Sequence, residues 1–294
     1  MSVSERSPSD AGRPYAGRRA VLATMHRKDE AIAPAMFATL GLIVTPTAGL
    51  DTDQLGTFSG EIPRNGTMLE VAVRKARLGM SASGLSFGLA SEGSFGPHPV
   101  IPFMPGGMEV MVFVDDERGI IIHESVIAEA TNFDHLVVSP GDELDSFLRR
   151  IGFPAHGLIA RPNEGQSTVA IVKGIMDLDS LSRSIAEAAA LSPDGRARLE
   201  TDMRAHLNPT RMKSLTTLAD RLARRLATTC PGCGAPGFGR TGTRGGLRCE
   251  TCGAPTEMVA AELFSCPACN YAEERPRFDG LQRAPTQHCP ECNP

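Results

Sequence analysis

The sequence predicts an α/β domain with a mixed sheet, a helical extension after it, and a C-terminal module of two tandem ribbons. Three observations predict this. Short apolar runs alternate with segments of helical period up to residue 176, residues 177–228 are dominated by helical period, and all eight cysteines follow residue 229 as four C-x2-C pairs. The expected units are a disordered leader at 1–17, the α/β domain at 18–176, a helical segment at 177–228 and the tandem ribbons at 229–294. The leader is rich in Ser, Pro, Gly and charge and has no apolar stretch to order it.

In the α/β domain, residues 19–24 are an apolar run read as the first strand, 29–40 as a helix and 42–45 as the second strand. A turn-rich stretch at 51–66 delivers a helix at 67–81, in which Leu69, Ala72, Val73, Ala76 and Met80 recur at helical spacing. Residues 87–90 are a further buried strand running into the Gly-rich turn 92–97. Residues 108–114 and 119–124 bracket Asp115-Asp116-Glu117-Arg118 as a hairpin, so part of the sheet is antiparallel. Beyond it, 142–151 reads as helix, 157–161 and 169–173 as extended, and 178–191 as helix. Residues 193–206 and 209–226 read as two more helices, the last with Asn208 as N-cap and Pro209 at its first position.

Cys230-Pro-Gly-Cys233 and Cys249-Glu-Thr-Cys252 are separated by fifteen residues, and Cys266-Pro-Ala-Cys269 and Cys289-Pro-Glu-Cys292 by nineteen. Each C-x2-C is a tight turn that aims two thiolates at one ion, and two such turns at this spacing match a four-cysteine zinc ribbon. Taken in chain order, the pairs give two structural Zn2+ sites. A cross-braced pairing, in which the first and third knuckles share one ion, is the alternative that the spacing leaves open. Four thiolates fill the coordination shell, so such an ion stabilises a small fold and does no chemistry.

Composition narrows the function classes. The formal charge of −4, with both signs interspersed, gives no global basic field. Trp is absent and only Tyr15 and Tyr271 are present, which leaves little surface for stacking bases. Arg240, Arg244 and Arg248 in the first ribbon are a local basic feature, and a non-enzymatic adaptor binding nucleic acid or protein through the ribbons is the alternative function. No apolar run is long enough to span a membrane, so no membrane partner is expected. Cysteines grouped for metal rather than for disulfides point to the cytoplasm. No G-x4-G-K-[ST] occurs, and Ser94, in Glu92-Gly93-Ser94-Phe95-Gly96, does not meet the G-x-S-x-G pattern of a serine nucleophile.

The segment Thr67-Met-Leu-Glu70-Val-Ala72-Val-Arg-Lys75-Ala76 resembles the T-F-x-E-N-A-x-x-K-A helix of the inosine-triphosphate pyrophosphatase-like family. Ala23-Thr24-Met25-His26-Arg27-Lys28 is similar to that family's strand-end A-T-x-N-x-x-K phosphate loop, and Ala90-Ser91-Glu92-Gly93-Ser94-Phe95 to its A-D-D-S-G-L site. The motifs fall in the family's order across residues 19–100. His26 replaces the loop Asn, Lys28 comes one position early, Val71 replaces the helix Asn, Ser91 replaces an Asp, and the later base-recognition segment has no counterpart.

The resemblance implies an ITPase-like fold and hydrolysis of a nucleotide or related phosphorylated metabolite with Mg2+ or Mn2+. Glu92 and Glu61 are the carboxylates that would hold the metal and orient water. Thr24, His26, Lys28, Thr67, Glu70 and Lys75 would bind substrate, and a transferase using the same phosphate loop stays open. Across its whole length the chain also resembles an uncharacterised bacterial family of zinc-ribbon proteins, a domain of unknown function.

Asp202, Arg204, His206 and Arg211 form a second dense polar cluster. On a helix, Asp202 and His206 would stand at i and i+4, close enough to share a metal or a phosphate. A salt-bridged helix end is the plainer account, and the functional one gains if this cluster meets Glu92 in space.

Overall fold

The computed structural model describes residues 13–47, 49, 65–97, 105–128, 130–165 and 171–294. Strand β1 (Arg19–Leu22) lies between two parallel neighbours, β2 (Ile43–Pro46) and β3 (Phe87–Pro97). From β3 the sheet continues antiparallel through β4 (Pro105–Asp115) and β5 (Ile120–Ala128), giving the order β2-β1-β3-β4-β5. The mixed α/β architecture expected from the sequence is therefore present.

Helices α1 (Asp29–Leu40) and α2 (Met68–Ser83) cover opposite faces of this sheet. Strand alternation assigns the residues: Ala20, Leu22, Leu89, Met111 and Phe113 join the core beside α1, and Val21, Ala23, Ala90, Val110 and Val112 join the core beside α2. At Gly88 a side chain would meet Met80 Sδ at 2.6 Å and the Ala76 carbonyl at 2.9 Å, so the missing Cβ is what lets α2 lie this close.

Residues 13–17 correct the expected leader. They form a turn whose Tyr15 ring is fully buried against Phe87 and Phe113, at centroid distances of 5.6 and 4.9 Å. The Tyr15 hydroxyl donates to buried Asp115 at 3.0 Å. A large ring with a satisfied hydroxyl outweighs the polar composition around it. Residues 1–12 lie outside the described residues, as do 51–64 of the turn-rich stretch.

A second, antiparallel sheet comprises β6 (His135–Val138), β7 (Leu158–Pro162), β8 (Val172–Ile175) and β9 (Ala197–Thr201) in the order β6-β9-β7-β8. Helices α3 (Asp145–Ile151) and α4 (Leu178–Ala190) close its core through Phe147, Ile151, Leu181 and Ile185. β9 corrects the helix expected over 193–206. Ala197, Leu199 and Thr201 point inward, while Glu200 accepts from Arg198 at 2.7 Å and from Arg161 of β7 at 2.6 Å. Ala, Arg, Leu and Glu favour helices by themselves, but pairing with β6 and β7 overrides that preference across only five residues.

Helix α5 (Pro209–Ala227) returns to the first sheet and buries Leu215, Leu218, Leu222 and Leu226 in the core shared with α1. The Asn208 side chain caps it by accepting from Arg211 N at 2.9 Å. Near its end, Arg225 donates to His123 O (2.8 Å) and Glu124 (3.0 Å) of β5 and to Gly237 O (3.3 Å), joining the sheet to the cysteine module. That module is a three-stranded antiparallel sheet of β10 (Gly239–Gly245), β11 (Val259–Ser265) and β12 (Ala272–Pro276). Among the described residues, no helix is long and apolar enough to cross a membrane.

Candidate functional site

Strand β1 pairs with β3 only as far as Leu22 and Leu89, with one more bond from Ala23 N to Leu89 O at 2.9 Å, whereas β3 and β4 run on together to Pro97 and Pro105. The sheet is notched beyond the end of β1, and groups from both faces meet there. The loop from Thr24 to Lys28 starts at this notch. It is tight: His26 N donates to Thr24 Oγ1 at 3.1 Å, and Arg27 adopts a positive φ of 52°, sparsely populated for a residue with a side chain.

Lys28 turns inward at the start of α1, and its Nζ donates to Ser91 O at 2.9 Å and Ser91 Oγ at 3.1 Å. Among the described residues no carboxylate lies within ion-pairing distance of it. Burial, with the nearby Arg211 charge adding to it, pushes the Lys28 amine down to about 8, against the opposing pull of Glu92 and Glu109. On the other face, Lys75 of α2 pairs with Glu92 of β3 at 2.5 Å, both nearly fully buried.

The second polar cluster converges on the same place. His26 stacks on His206 at a centroid distance of 5.3 Å, and burial together with Lys28, His206, Arg204 and Arg211 pushes the His26 imidazole down to about 3. His206 is lowered as well, first by burial and then by Arg204. Both rings are therefore neutral near pH 7. Arg211 reaches Glu109 of β4 through Nε–Oε1 at 2.6 Å and Nη2–Oε2 at 3.2 Å, with both side chains wholly buried. Gly93 makes room for this pair, since a Cβ there would lie 2.7 Å from the Glu109 carboxylate.

The geometry proposed for Asp202 and His206 needs correction. Residues 202–204 are not helical, and His206 sits in the 3-10 turn Ala205–Leu207 facing His26. The buried Asp202 carboxylate accepts instead from Gly174 N (3.1 Å), Arg204 N (3.0 Å) and Arg204 Nη2 (2.6 Å), a set that binds β8 to the turn before α5. Thr67 and Glu70 engage each other at the exposed start of α2 as a capping box, with Thr67 N donating to Glu70 at 2.8 Å and Glu70 N to Thr67 Oγ1 at 3.2 Å. Glu61 lies outside the described residues.

Beside the notch, a cleft of about 540 Å³ opens between the ends of β1 and β2, lined by Thr24, Met25, Arg27, Asp29, Pro46 and Thr47. Burying Lys28, Lys75, Glu92, Glu109 and Arg211 in one place costs several kcal/mol per ion before pairing offsets it. Such an expense at the carboxyl end of a parallel strand, next to a cleft of ligand size, makes this place the candidate functional site. Sequence reasoning missed Glu109, although a lone acid inside the apolar run Met108-Glu-Val-Met-Val-Phe-Val114 is a readable signal. It also missed Asp29 and Thr47, which carry no motif, and read Ser91 only as a departure from one.

The cysteines form two four-thiol clusters, Cys230 with Cys233, Cys266 and Cys269, and Cys249 with Cys252, Cys289 and Cys292, each with all sulfurs within 4.8 Å of one another. This is the cross-braced pairing, and it corrects the tandem arrangement of neighbouring knuckles. Strand register explains it. Gly239 pairs with Ser265, which sets the knuckle before β10 beside the knuckle after β11; Gly245 pairs with Val259 and Ala261 with Pro276, which gathers the second and fourth knuckles at the opposite end.

The clusters fit zinc. Sulfurs 2.3 Å from a tetrahedral ion stand about 3.8 Å apart, and Cys230–Cys269, Cys233–Cys266 and Cys252–Cys289 are 3.8, 3.7 and 3.5 Å apart. Backbone N–H groups of Cys252 and Thr251 draw the Cys249 thiol down to about 7, whereas hydrogen bonding to Cys252 and burial push Cys292 up to about 12. Each cluster could hold a divalent cation, which would favour the thiolate form of its cysteines. Of the ribbon arginines, Arg240 pairs with Glu262 (3.1 Å), Arg244 with Glu274 (2.9 Å), and Arg248 donates to Gly253 O (3.1 Å).

Comparison with protein families matches residues 75–294 to the family described as Domain of unknown function (DUF6671), and the chain belongs to that family. The match spans Lys75, Glu92, Glu109, Arg211 and all eight cysteines, and starts after the Thr24–Lys28 loop. No curated protein matches the chain.

Proposed function

We propose that this DUF6671 protein is a metal-dependent hydrolase of a nucleotide or related phosphorylated metabolite, working at the end of β1, with the cysteine module as a structural appendage. The observation that carries the reading is the convergence of four distant chain segments, 24–28, 75–92, 109 and 202–211, on one notch with buried charge of both signs. The order of the three motifs that resemble the inosine-triphosphate pyrophosphatase-like family supports it. So does Lys28, a buried cation with no ion-paired carboxylate among the described residues, because a phosphate oxygen would supply its counter-charge.

In this reading the Thr24–Lys28 loop and the start of α1 face the phosphates, and the neutral His26 and His206 can donate to phosphate oxygens without adding charge. Glu92 is the carboxylate that would hold Mg2+ or Mn2+ alongside substrate oxygens, and the ion would supply charge neutralisation of the phosphates. Lys75 holds Glu92 in place until then. Arg211 and Glu109 position the turn carrying Arg204 and His206 against the sheet. The adaptor alternative draws less support, since the ribbon arginines are already engaged with carboxylates or a carbonyl.

The test is release of pyrophosphate or phosphate from a nucleotide panel that includes ITP and XTP, with Mg2+ or Mn2+, comparing wild type with Glu92→Gln. Turnover that the substitution abolishes, with zinc content and secondary structure retained, is the expected result. Absence of turnover across the panel for a folded, zinc-loaded protein overturns the reading.

A further inference from the structure

The cleft between the ends of β1 and β2 borders the charged notch and is lined by one charge of each sign, Arg27 and Asp29. Thr24, Arg27 and Asp29 line it, while Lys28 between them faces Ser91 instead. Two polar groups of this cleft make no hydrogen bond among the described residues. Thr47 Oγ1 is buried and makes no hydrogen bond. The Asp29 carboxylate has neither an ion pair nor a hydrogen bond among the described residues.

Each could have had a plainer account, and for Thr47 none works. An acid in the first turn of α1 suits the helix dipole, which explains Asp29 by itself. Thr47 gains nothing from its hydroxyl within the fold. Its methyl packs towards α2, where a Cβ at Gly79 would lie 3.3 Å from Thr47 Cγ2, and the hydroxyl sits on the other branch of Cβ. A buried hydroxyl without a partner destabilises a protein, and Val would fill the same volume without that cost. Thr24 adds a third group: its Oγ1 accepts from His26 N, which leaves the hydroxyl hydrogen available to a ligand.

The chemistry of the lining selects the ligand. A carboxylate repels phosphate, and the Arg27 guanidinium of the lining is already paired with Glu30, so the anionic part of a substrate belongs on the Lys28 and His26 side and a neutral part belongs beside Asp29. A carboxylate also accepts two hydrogen bonds at once, which suits adjacent hydroxyl groups on a ring. A cleft of about 540 Å³ is far larger than one phosphate and within the range of small-molecule sites.

We propose that this cleft is the subsite for a sugar bearing a vicinal diol, with Asp29 accepting from the diol and Thr47 hydrogen-bonding the same group. The inference rests on the phosphorylated-substrate reading and deepens it by assigning the non-phosphate half of the substrate to named residues. It makes Asp29 and Thr47 determinants of specificity, not of the chemical step.

The experiment is equilibrium titration of the full, zinc-loaded chain with ITP, 2′,3′-dideoxy-ITP and inorganic tripolyphosphate, for wild type, Asp29→Asn and Thr47→Val. In wild type, ITP binds about tenfold or more tightly than the dideoxy analogue, and Asp29→Asn removes that difference while leaving tripolyphosphate affinity unchanged or improved. Thr47→Val weakens ITP binding and raises the melting temperature, a combination that a purely packing role does not produce. Equal affinity of wild type for ITP and its dideoxy analogue, with tripolyphosphate still bound, overturns the subsite and leaves the phosphate site standing. Failure to bind either ITP or tripolyphosphate overturns the phosphorylated-substrate reading and this inference with it.

Discussion

Glu109 and Arg211 are joined by two hydrogen bonds and excluded from solvent, while Arg211 Nη1 also donates to Met203 O. A buried pair of this kind contributes little net stability compared with apolar residues of the same size, but losing one partner strands the other charge. Glu109→Gln is therefore expected to lower the unfolding free energy by about 3 to 5 kcal/mol, and Glu109→Leu with Arg211→Met to recover most of that loss. Denaturant unfolding of the three proteins decides it; a double variant as unstable as the single one would show that the pair itself holds the fold. At this scale the sequence was legible where residue types clustered locally, as at Thr24 and His26, which share a hydrogen bond in one tight loop. Glu109 and Ser91 acquire their roles only from partners 102 and 63 positions away.

Among the elements, α1 was legible to the residue, since Asp29–Leu40 is framed by an acidic first turn and by Gly41 in the left-handed conformation. β9 was not, because five residues of helix-favouring type become a strand only when β6 and β7 flank them. The cysteine knuckles were legible one by one and their pairing was not. Spacing along the chain says which two thiols share a turn; the register of β10, β11 and β12 says which turns share an end of the sheet. The cross-brace gives a stoichiometric prediction. Wild type should carry two zinc ions per chain, the combination Cys230→Ser with Cys266→Ser should retain one, and Cys230→Ser with Cys249→Ser should lose both. Metal analysis of purified proteins reads this directly, and the opposite assignment of the two double variants would restore the tandem pairing.

At the scale of the whole molecule, the site exists because α5 returns from the second sheet to pack beside α1 on the first. That return carries Arg211 into the sheet and His206 onto His26, some 180 residues earlier in the chain. Nothing in local sequence encodes such a meeting, which is why the two polar clusters read as separate features until the fold joined them. The DUF6671 match covers the carboxylates and arginine of the site but not the loop that supplies Lys28. Lys28 is thus where the account is most exposed. Its amine is buried, drawn down to about 8 by that burial and by Arg211, and without a carboxylate among the described residues.

The most direct measurement is the affinity of the full, zinc-loaded chain for inorganic tripolyphosphate near pH 7, without other divalent metal, for wild type and Lys28→Met. The account predicts saturable binding that the substitution weakens about tenfold or more, in a variant that keeps its zinc and melts no lower than wild type. Equal affinity in the two proteins, or no binding by wild type, would contradict a phosphate site at the end of β1.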